Sequence, residues 1–279
     1  MILIAESGST KTAWLTQKNE LFETMGFSPL FHTADFIYEE LTKHAGLYEV
    51  RGKFTKVFFY GTGCSSEERK DIIRSALKRY FINAEVIEVD HDLKAAAVAT
   101  YDGRKAIACI LGTGSNSCLY DGKEIYEEVP SLGYILGDEG GGAYFGRKIV
   151  AAYLYHELPP ATHQLLTERY KLEKEEVLKR VYKEPGAIVY LAGFAKIMSE
   201  SPDKEYMDEL AEEGFTDFFN HHVCCYKNYK LYPVHFVGSI AYHFKHVLEL
   251  VANKKGCELG VVERNPVYGL LNWHLKNSK

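Results

Sequence analysis

A shift of 104 positions lays one part of this chain over another: Gly8 falls on Gly112, Ser9 on Thr113, Leu15 on Leu119, Glu20 on Glu124, Leu21 on Ile125, Phe22 on Tyr126 and Glu23 on Glu127. The local patterns repeat with the residues. Alternation of apolar and polar positions predicts strands over residues 2–6, 12–17 and 20–25, and again over 105–111, 116–120 and 124–129. Such a duplication confines the fold to two similar lobes facing each other, each opening on a strand, a tight polar hairpin and two further strands.

Both hairpins are built from small, turn-forming residues: Glu6-Ser7-Gly8-Ser9-Thr10-Lys11-Thr12 in the first copy and Leu111-Gly112-Thr113-Gly114-Ser115-Asn116-Ser117 in the second. Backbone N–H groups can close on a polyphosphate only where the chain reaches φ > 0 and no Cβ keeps the ligand away. Gly8, Lys11 and Thr12 suggest a P-loop, but Thr10 stands where a Walker loop requires glycine. Taken alone, residues 6–12 are an ordinary polar hairpin. Two such hairpins in a duplicated frame are harder to attribute to turn chemistry and look like a phosphate clamp, with Thr10, Thr113 and Ser115 offering hydroxyls and Glu6 facing a bound Mg²⁺.

The rest of the first copy reads as a helix over 34–47, a strand over 56–60, a helix over 66–81 capped by Ser65-Ser66-Glu67-Glu68, a strand over 84–89 and a helix over 93–101. That is a βββαβα unit, turning at Asp102-Gly103 into the second copy. There, helices over 142–158, 161–170, 174–182, 186–199 and 204–226 precede a strand over 234–237, a helix over 242–253, a strand over 258–262 and a last helix over 266–276. The expected class is α/β, with lobes 1–103 and 104–279, the second enlarged by inserted helices.

At 279 residues, 46% hydrophobic and 13% aromatic, the chain can build a core in both lobes. Net charge is −5 with no basic run, so the electrostatic footprint of a nucleic-acid partner is missing. No stretch reaches the roughly 18 apolar residues of a membrane span, and the first apolar run lacks a basic leader, which points to a soluble, cytoplasmic protein. The six cysteines form no C-x-x-C pair and read as reduced thiols, with adjacent Cys224-Cys225 more a matter of helix packing than of redox chemistry.

Three further segments can carry chemistry. Asp92, in Asp90-His91-Asp92, closes a first-lobe strand; by itself it is a helix cap, but the end of that strand is also where a carboxylate can take a proton from a substrate hydroxyl near a γ-phosphate. Gly137-Asp138-Glu139-Gly140-Gly141-Gly142 begins a helix on three glycines, each costing about 1 kcal/mol relative to alanine. Close approach of a ligand or of the opposite lobe would offset that cost, with Asp138 and Glu139 as acceptors for sugar hydroxyls or a hydrated metal. Gly238-Ser239 is a βα turn that could also form the wall under an adenine ring.

With these positions, the chain resembles the acetate and sugar kinase, heat-shock chaperone and actin superfamily, nearest its N-acetylglucosamine kinase group, which shares a family with the benzoyl-CoA-reductase activating ATPases. The resemblance implies two ribonuclease-H-like lobes hinged around a cleft, the final helix packing back on the first lobe, and ATP with Mg²⁺ as the phosphoryl donor. It places residues 6–12 (Gly8, Ser9, Thr10, Lys11, Thr12) as the first phosphate loop, Gly112, Thr113, Gly114 and Ser115 as the second, and Gly238 and Ser239 in the adenosine motif. Asp92 falls at the catalytic aspartate and Asp138 at a sugar contact; Glu6 and, through water, Asp138 are expected to organise the hydrated metal. Gly61, Thr62, Gly63, Asn116, Gly133, Asp138 and Glu139 fall on the sugar side. Glu6 stands where many relatives have aspartate, Ser28 replaces an asparagine that often contacts the sugar, and Ala13 replaces a polar or acidic residue.

The expected activity is phosphorylation of a hydroxyl of an N-acetylated amino sugar, with pairing of two copies left open. An ATPase activator of a partner protein and a non-enzymatic sensor on the same fold are the competing readings. The first is weakened by cysteines without iron–sulfur spacing, the second by a chain that starts directly on its first strand.

Overall fold

The computed structural model describes residues 1–277 and divides the chain into two compact units. Unit 1 comprises Met1–Tyr101 together with the segment from Asn265 onward; unit 2 is Asp102–Arg264.

In unit 1, strands β1 (Ile2–Ser7), β2 (Lys11–Thr16), β3 (Leu21–Met25), β4 (Lys56–Gly61) and β5 (Val86–His91) form one sheet in the order β3-β2-β1-β4-β5. The first three are antiparallel; β1, β4 and β5 run parallel. The burial patterns follow from position. Central β1 and β4 are apolar on both faces, whereas edge strand β3 alternates between exposed and half-buried. Leu3, Ala5, Trp14, Val57 and Phe59 join Ile37, Leu41, Ile73 and Leu77 of helices Ala34–Lys43 and Glu67–Tyr80 in one core. Phe58 points to the other face, where it stacks on His274 of the last helix, Val267–Asn277, at 3.7 Å between ring centroids. That helix also packs on helix Asp92–Ala99, and a Cβ at Gly269 would come within 2.4 Å of the Ala99 carbonyl oxygen.

Unit 2 repeats the plan. Strands β6 (Ala106–Leu111), β7 (Ser115–Tyr120), β8 (Ile125–Tyr126), β9 (Val234–Val237) and β10 (Leu259–Glu263) lie in the order β10-β9-β6-β7-β8, the same connectivity as in unit 1. The duplication is exact in register where it matters: β6 and β7 begin and end 104 positions after β1 and β2. Ile107, Cys109 and Leu111 meet Phe145, Phe215, Phe219, Phe236 and Leu248 in its core, under helices Gly142–Leu154, Lys204–Phe218 and Lys245–Lys255.

Several expected elements are cut shorter. The helix expected over 34–47 divides at His44, whose Nδ1 accepts from the Leu47 amide and so caps a second helix, Ala45–Val50. The strand expected over 124–129 survives only as Ile125–Tyr126, an edge strand followed by exposed Glu127 and Glu128 and then Pro130, which cannot donate to a ladder. Residues 186–199 form two short helices, Ala187–Gly193 and Lys196–Glu200. Residues 204–226 are α-helical only to Phe218 and continue as a π-helical turn, Phe219–Val223. The helix expected over 242–253 starts earlier, at Ser239, and breaks at Phe244.

Candidate active site

In unit 1 the chemistry collects at the C-terminal ends of the three parallel strands, where Ser7, Gly61 and His91 lie side by side in register. The hairpin between β1 and β2 is closed by the Gly8 amide donating to the Lys11 carbonyl at 3.0 Å, which leaves Ser9 and Thr10 exposed at its tip. Thr12 is placed differently. Its hydroxyl is buried, 2.8 Å from Ser7 Oγ, and donates to the Met25 carbonyl at 2.9 Å, so it ties the hairpin to the chain below it. That chain passes very close: a Cβ at Gly26 would lie 2.3 Å from the Gly8 carbonyl oxygen. The Lys11 ammonium pairs with Glu23 across β2 and β3.

Asp92 opens its helix and accepts from the Leu93 amide at 2.9 Å, while the Thr62 side chain also hydrogen-bonds to it. Burial raises its pKa above the ordinary carboxylate range. Glu6, at the end of β1, is pushed up to about 7, first by burial and then by the negative charge of Asp92, with Lys11 pulling the other way. The two acids therefore feel each other in one low-dielectric corner. Ser28 is buried in sequence-distant company: a Cβ at Gly63, where φ is +81°, would lie 2.9 Å from Ser28 Oγ. At Gly61 a Cβ would meet the Phe59 ring at 2.6 Å. Unit 1 thus brings Glu6, Asp92 and Thr62 together, and Ser28 with Gly63.

In unit 2 three glycine segments converge. The loop between β6 and β7 is closed by the Gly112 amide donating to Gly114 O at 3.0 Å. Its carbonyls are held from below, since the Gly142 and Ala143 amides donate to Gly112 O and Thr113 O, both at 2.8 Å. The first N–H groups of helix Gly142–Leu154, which would otherwise lack partners, are satisfied by the loop. Neither a ligand nor a second lobe is needed to explain the glycines. A Cβ at Gly141 would meet the Gly114 backbone at 2.8 Å and one at Gly142 the Gly112 carbonyl oxygen at 3.1 Å. Asp138, at φ +58°, accepts from the Ser115 amide at 3.1 Å and lies against Gly114; burial raises its pKa. Gly238 brings the turn after β9 to the same loop, its φ of +121° allowing a 3.1 Å approach of its Cβ position to the Gly112 amide nitrogen. Ser239 follows, exposed, as the first residue of its helix.

The Ser115 hydroxyl is buried and has no partner, an orphan that suits a loop awaiting a ligand oxygen. Asn116 turns back on its own chain, accepting from the Ser117 amide at 2.8 Å. Gly133, at φ +70°, opens a short unexpected helix, Gly133–Leu136, whose Tyr134 and Ile135 carbonyls accept from Arg147 at 3.3 and 3.4 Å. Glu139 meets a residue that sequence reading missed, His222, at 3.5 Å. Among the described residues no group of three or more His, Cys, Asp or Glu side chains is arranged to hold a metal ion. A cage is not required for Mg²⁺ accompanying a nucleotide, because that ion keeps several waters and takes one or two carboxylates plus phosphate oxygens. The Glu6 and Asp92 corner and the Asp138 carboxylate are donors of that kind.

A protein from Porphyromonas gingivalis, provisionally named an N-acetylglucosamine kinase, matches this chain at 35% identity over 100% of both chains, with a TM-score of 0.92. The chain belongs to the superfamily of acetate and sugar kinases, heat-shock chaperones and actin. Within that superfamily it stands close to the N-acetylglucosamine kinases. Two more distant sugar-kinase structures share its fold alone. One, provisionally named an N-acetylglucosamine kinase from Chromobacterium violaceum, is 14% identical over 98% of each chain at a TM-score of 0.64. The other, a ROK family glucokinase from Streptomyces griseus held with glucose and AMPPNP, is 13% identical over 98% of this chain and 97% of its own at 0.57. No protein-family model and no curated protein sequence matches the chain. Among its described residues no helix is long and apolar enough to cross a membrane.

Proposed function

We propose that the chain transfers the γ-phosphoryl group of Mg²⁺-ATP to a hydroxyl of an N-acetylated amino sugar, N-acetylglucosamine or a relative of it. The observation that carries the reading is Asp92, a carboxylate at the ends of three parallel strands, oriented by Thr62 and the Leu93 amide and set beside Glu6. Asp92 accepts the proton of the attacking hydroxyl. Proton removal here asks for position more than basicity, because the transition state of phosphoryl transfer is loose.

Unit 2 supplies the cradle for the phosphates. With the carbonyls of Gly112 and Thr113 tied to the helix below, Thr113 and Ser115 offer hydroxyls to phosphate oxygens, and Gly238 and Ser239 line the adenosine. In unit 1 the exposed tip at Gly8, Ser9, Thr10 and Lys11 does the same work. Thr12 supports that tip from inside. Glu6 and, through water, Asp138 hold the hydrated magnesium, which when bound neutralises charge on the phosphate oxygens. Ser28, Gly61, Thr62, Gly63, Asn116, Gly133, Asp138 and Glu139 recognise the sugar.

The test is direct. Purified protein is incubated with Mg²⁺-ATP and a panel of N-acetylated and plain hexoses, with ADP release and product mass recorded. A phosphorylated N-acetyl sugar supports the reading, and ADP release independent of any sugar overturns it.

A further inference from the structure

Helix Lys204–Phe218 does not stop at Phe218 but widens into the π-helical turn Phe219–Val223. Single π turns are rare and recur at functional sites, since the extra residue re-aims a side chain. This one is pinned by strand β7: Ser117 Oγ donates to the His222 carbonyl at 2.6 Å, and Tyr226 Oη lies 3.1 Å from the same hydroxyl. The helix before it presses on the acidic turn too, with the Gly140 Cβ position 3.2 Å from the Phe215 ring.

The turn aims His222 at Glu139. The imidazole is 5% exposed and lies flat on Phe218, ring centroids 5.1 Å apart and planes at 21°. Its Nε2 is 3.5 Å from Glu139 Oε2, and Nδ1 is buried with no partner. That asymmetry selects a tautomer. A proton on Nδ1 would be a buried donor without an acceptor, whereas a proton on Nε2 reaches a carboxylate. Burial also lowers the pKa of the ring against the pull of Glu139 and so favours the neutral form. Glu139 itself stays half-buried, its side chain 20% exposed.

We infer that His222 is a positioning residue: its Nε2–H holds the Glu139 carboxylate in the orientation that accepts a hydrogen bond from a hydroxyl of the acceptor sugar. The inference rests on the kinase reading above and deepens it. Its consequence is selective, because only acceptor recognition depends on Glu139, while the phosphate loops and Asp92 are held by other bonds.

The experiment measures kcat and both KM values for three proteins on the sugar the wild type uses best. H222F keeps the stack on Phe218 but loses the donor; it raises the sugar KM about tenfold while kcat and the ATP KM stay within about twofold. H222Q restores most of the sugar affinity, since its terminal amide nitrogen sits where Nε2 does. Should H222F fail to fold, H222N serves, its amide too short to reach Glu139. An unchanged sugar KM in the variant that lacks the donor, or a loss shared equally by both substrates, overturns the inference alone. A wild type that phosphorylates no sugar overturns the kinase reading and this inference with it.

Discussion

A Cβ on Gly238 would lie 2.2 Å from the carbonyl oxygen of Leu111, so these residues meet backbone to backbone. Gly238→Ala adds this clash to a φ of +121° that an L-residue rarely adopts. The expected loss is roughly 2 kcal/mol or more of stability, read as a lowered denaturant midpoint. Gly112 is the control. A Cβ there would meet only the Ile110 side chain, at 3.9 Å, so Gly112→Ala keeps its midpoint, and any loss of ATP affinity in that variant reports on ligand approach.

Gly114 and Asp138 give a second pair. A Cβ at Gly114 would sit 2.7 Å from Asp138 Oδ2, so Gly114→Ala pushes the carboxylate off the Ser115 amide, which it now engages at 3.1 Å. Loss of this charge-assisted bond removes about 1.5–3 kcal/mol, measured by chemical denaturation. An unchanged midpoint would mean that Asp138 is held by something else.

Asp92→Asn should lower kcat by roughly 10² or more while ATP binding, followed by calorimetry, persists. A readout independent of activity accompanies it. Removing the Asp92 charge takes away one of the two causes that raise Glu6, so the Glu6 carboxyl titrates below its present value of about 7.

Two groups in unit 1 link stability to pH with opposite sign. Burial depresses His274 from 6.5 to about 4 in the folded protein, so the unfolded chain binds its proton first and stability falls as pH drops from 6.5 to 4. The effect is about 3 kcal/mol for this nearly inaccessible ring. Glu6 is raised from 4.5 to about 7, so its contribution is present below 4.5 and is lost as pH rises to 7. In the wild type the two oppose each other over most of this range. Glu6→Gln exposes a stability that climbs from pH 4 to 6.5, and His274→Phe one that declines from pH 4.5 to 7. Parallel curves for the two variants in urea titrations of metal-free protein would contradict the assignment.

The duplicated strands were legible because period-two alternation and glycine hairpins are local signals, and β6 and β7 fall where the 104-residue shift puts them. The three glycines at 140–142 signalled a close approach but not its partners, which turned out to be the Phe215 ring and Gly214 carbonyl for Gly140 and the backbone of Gly114 and Gly112 for Gly141 and Gly142, all in the same unit. His222 was invisible for a different reason. Residues 204–226 keep helical apolar spacing throughout, and the step from α to π is set by contacts such as Ser117 to the His222 carbonyl, made across 105 positions of chain. The break at His44 likewise depends on a side-chain cap that any histidine could offer and few make.

The Gly112–Ser115 loop hangs by its carbonyls from the opening turn of helix Gly142–Leu154. Fraying of that turn and slackening of the loop are therefore one event. Whatever tightens the helix, including the packing of Gly146 against Leu191 well inside it, stiffens the cradle at the same time, and the grip on a triphosphate is inherited from the body of the domain instead of being tuned at its rim.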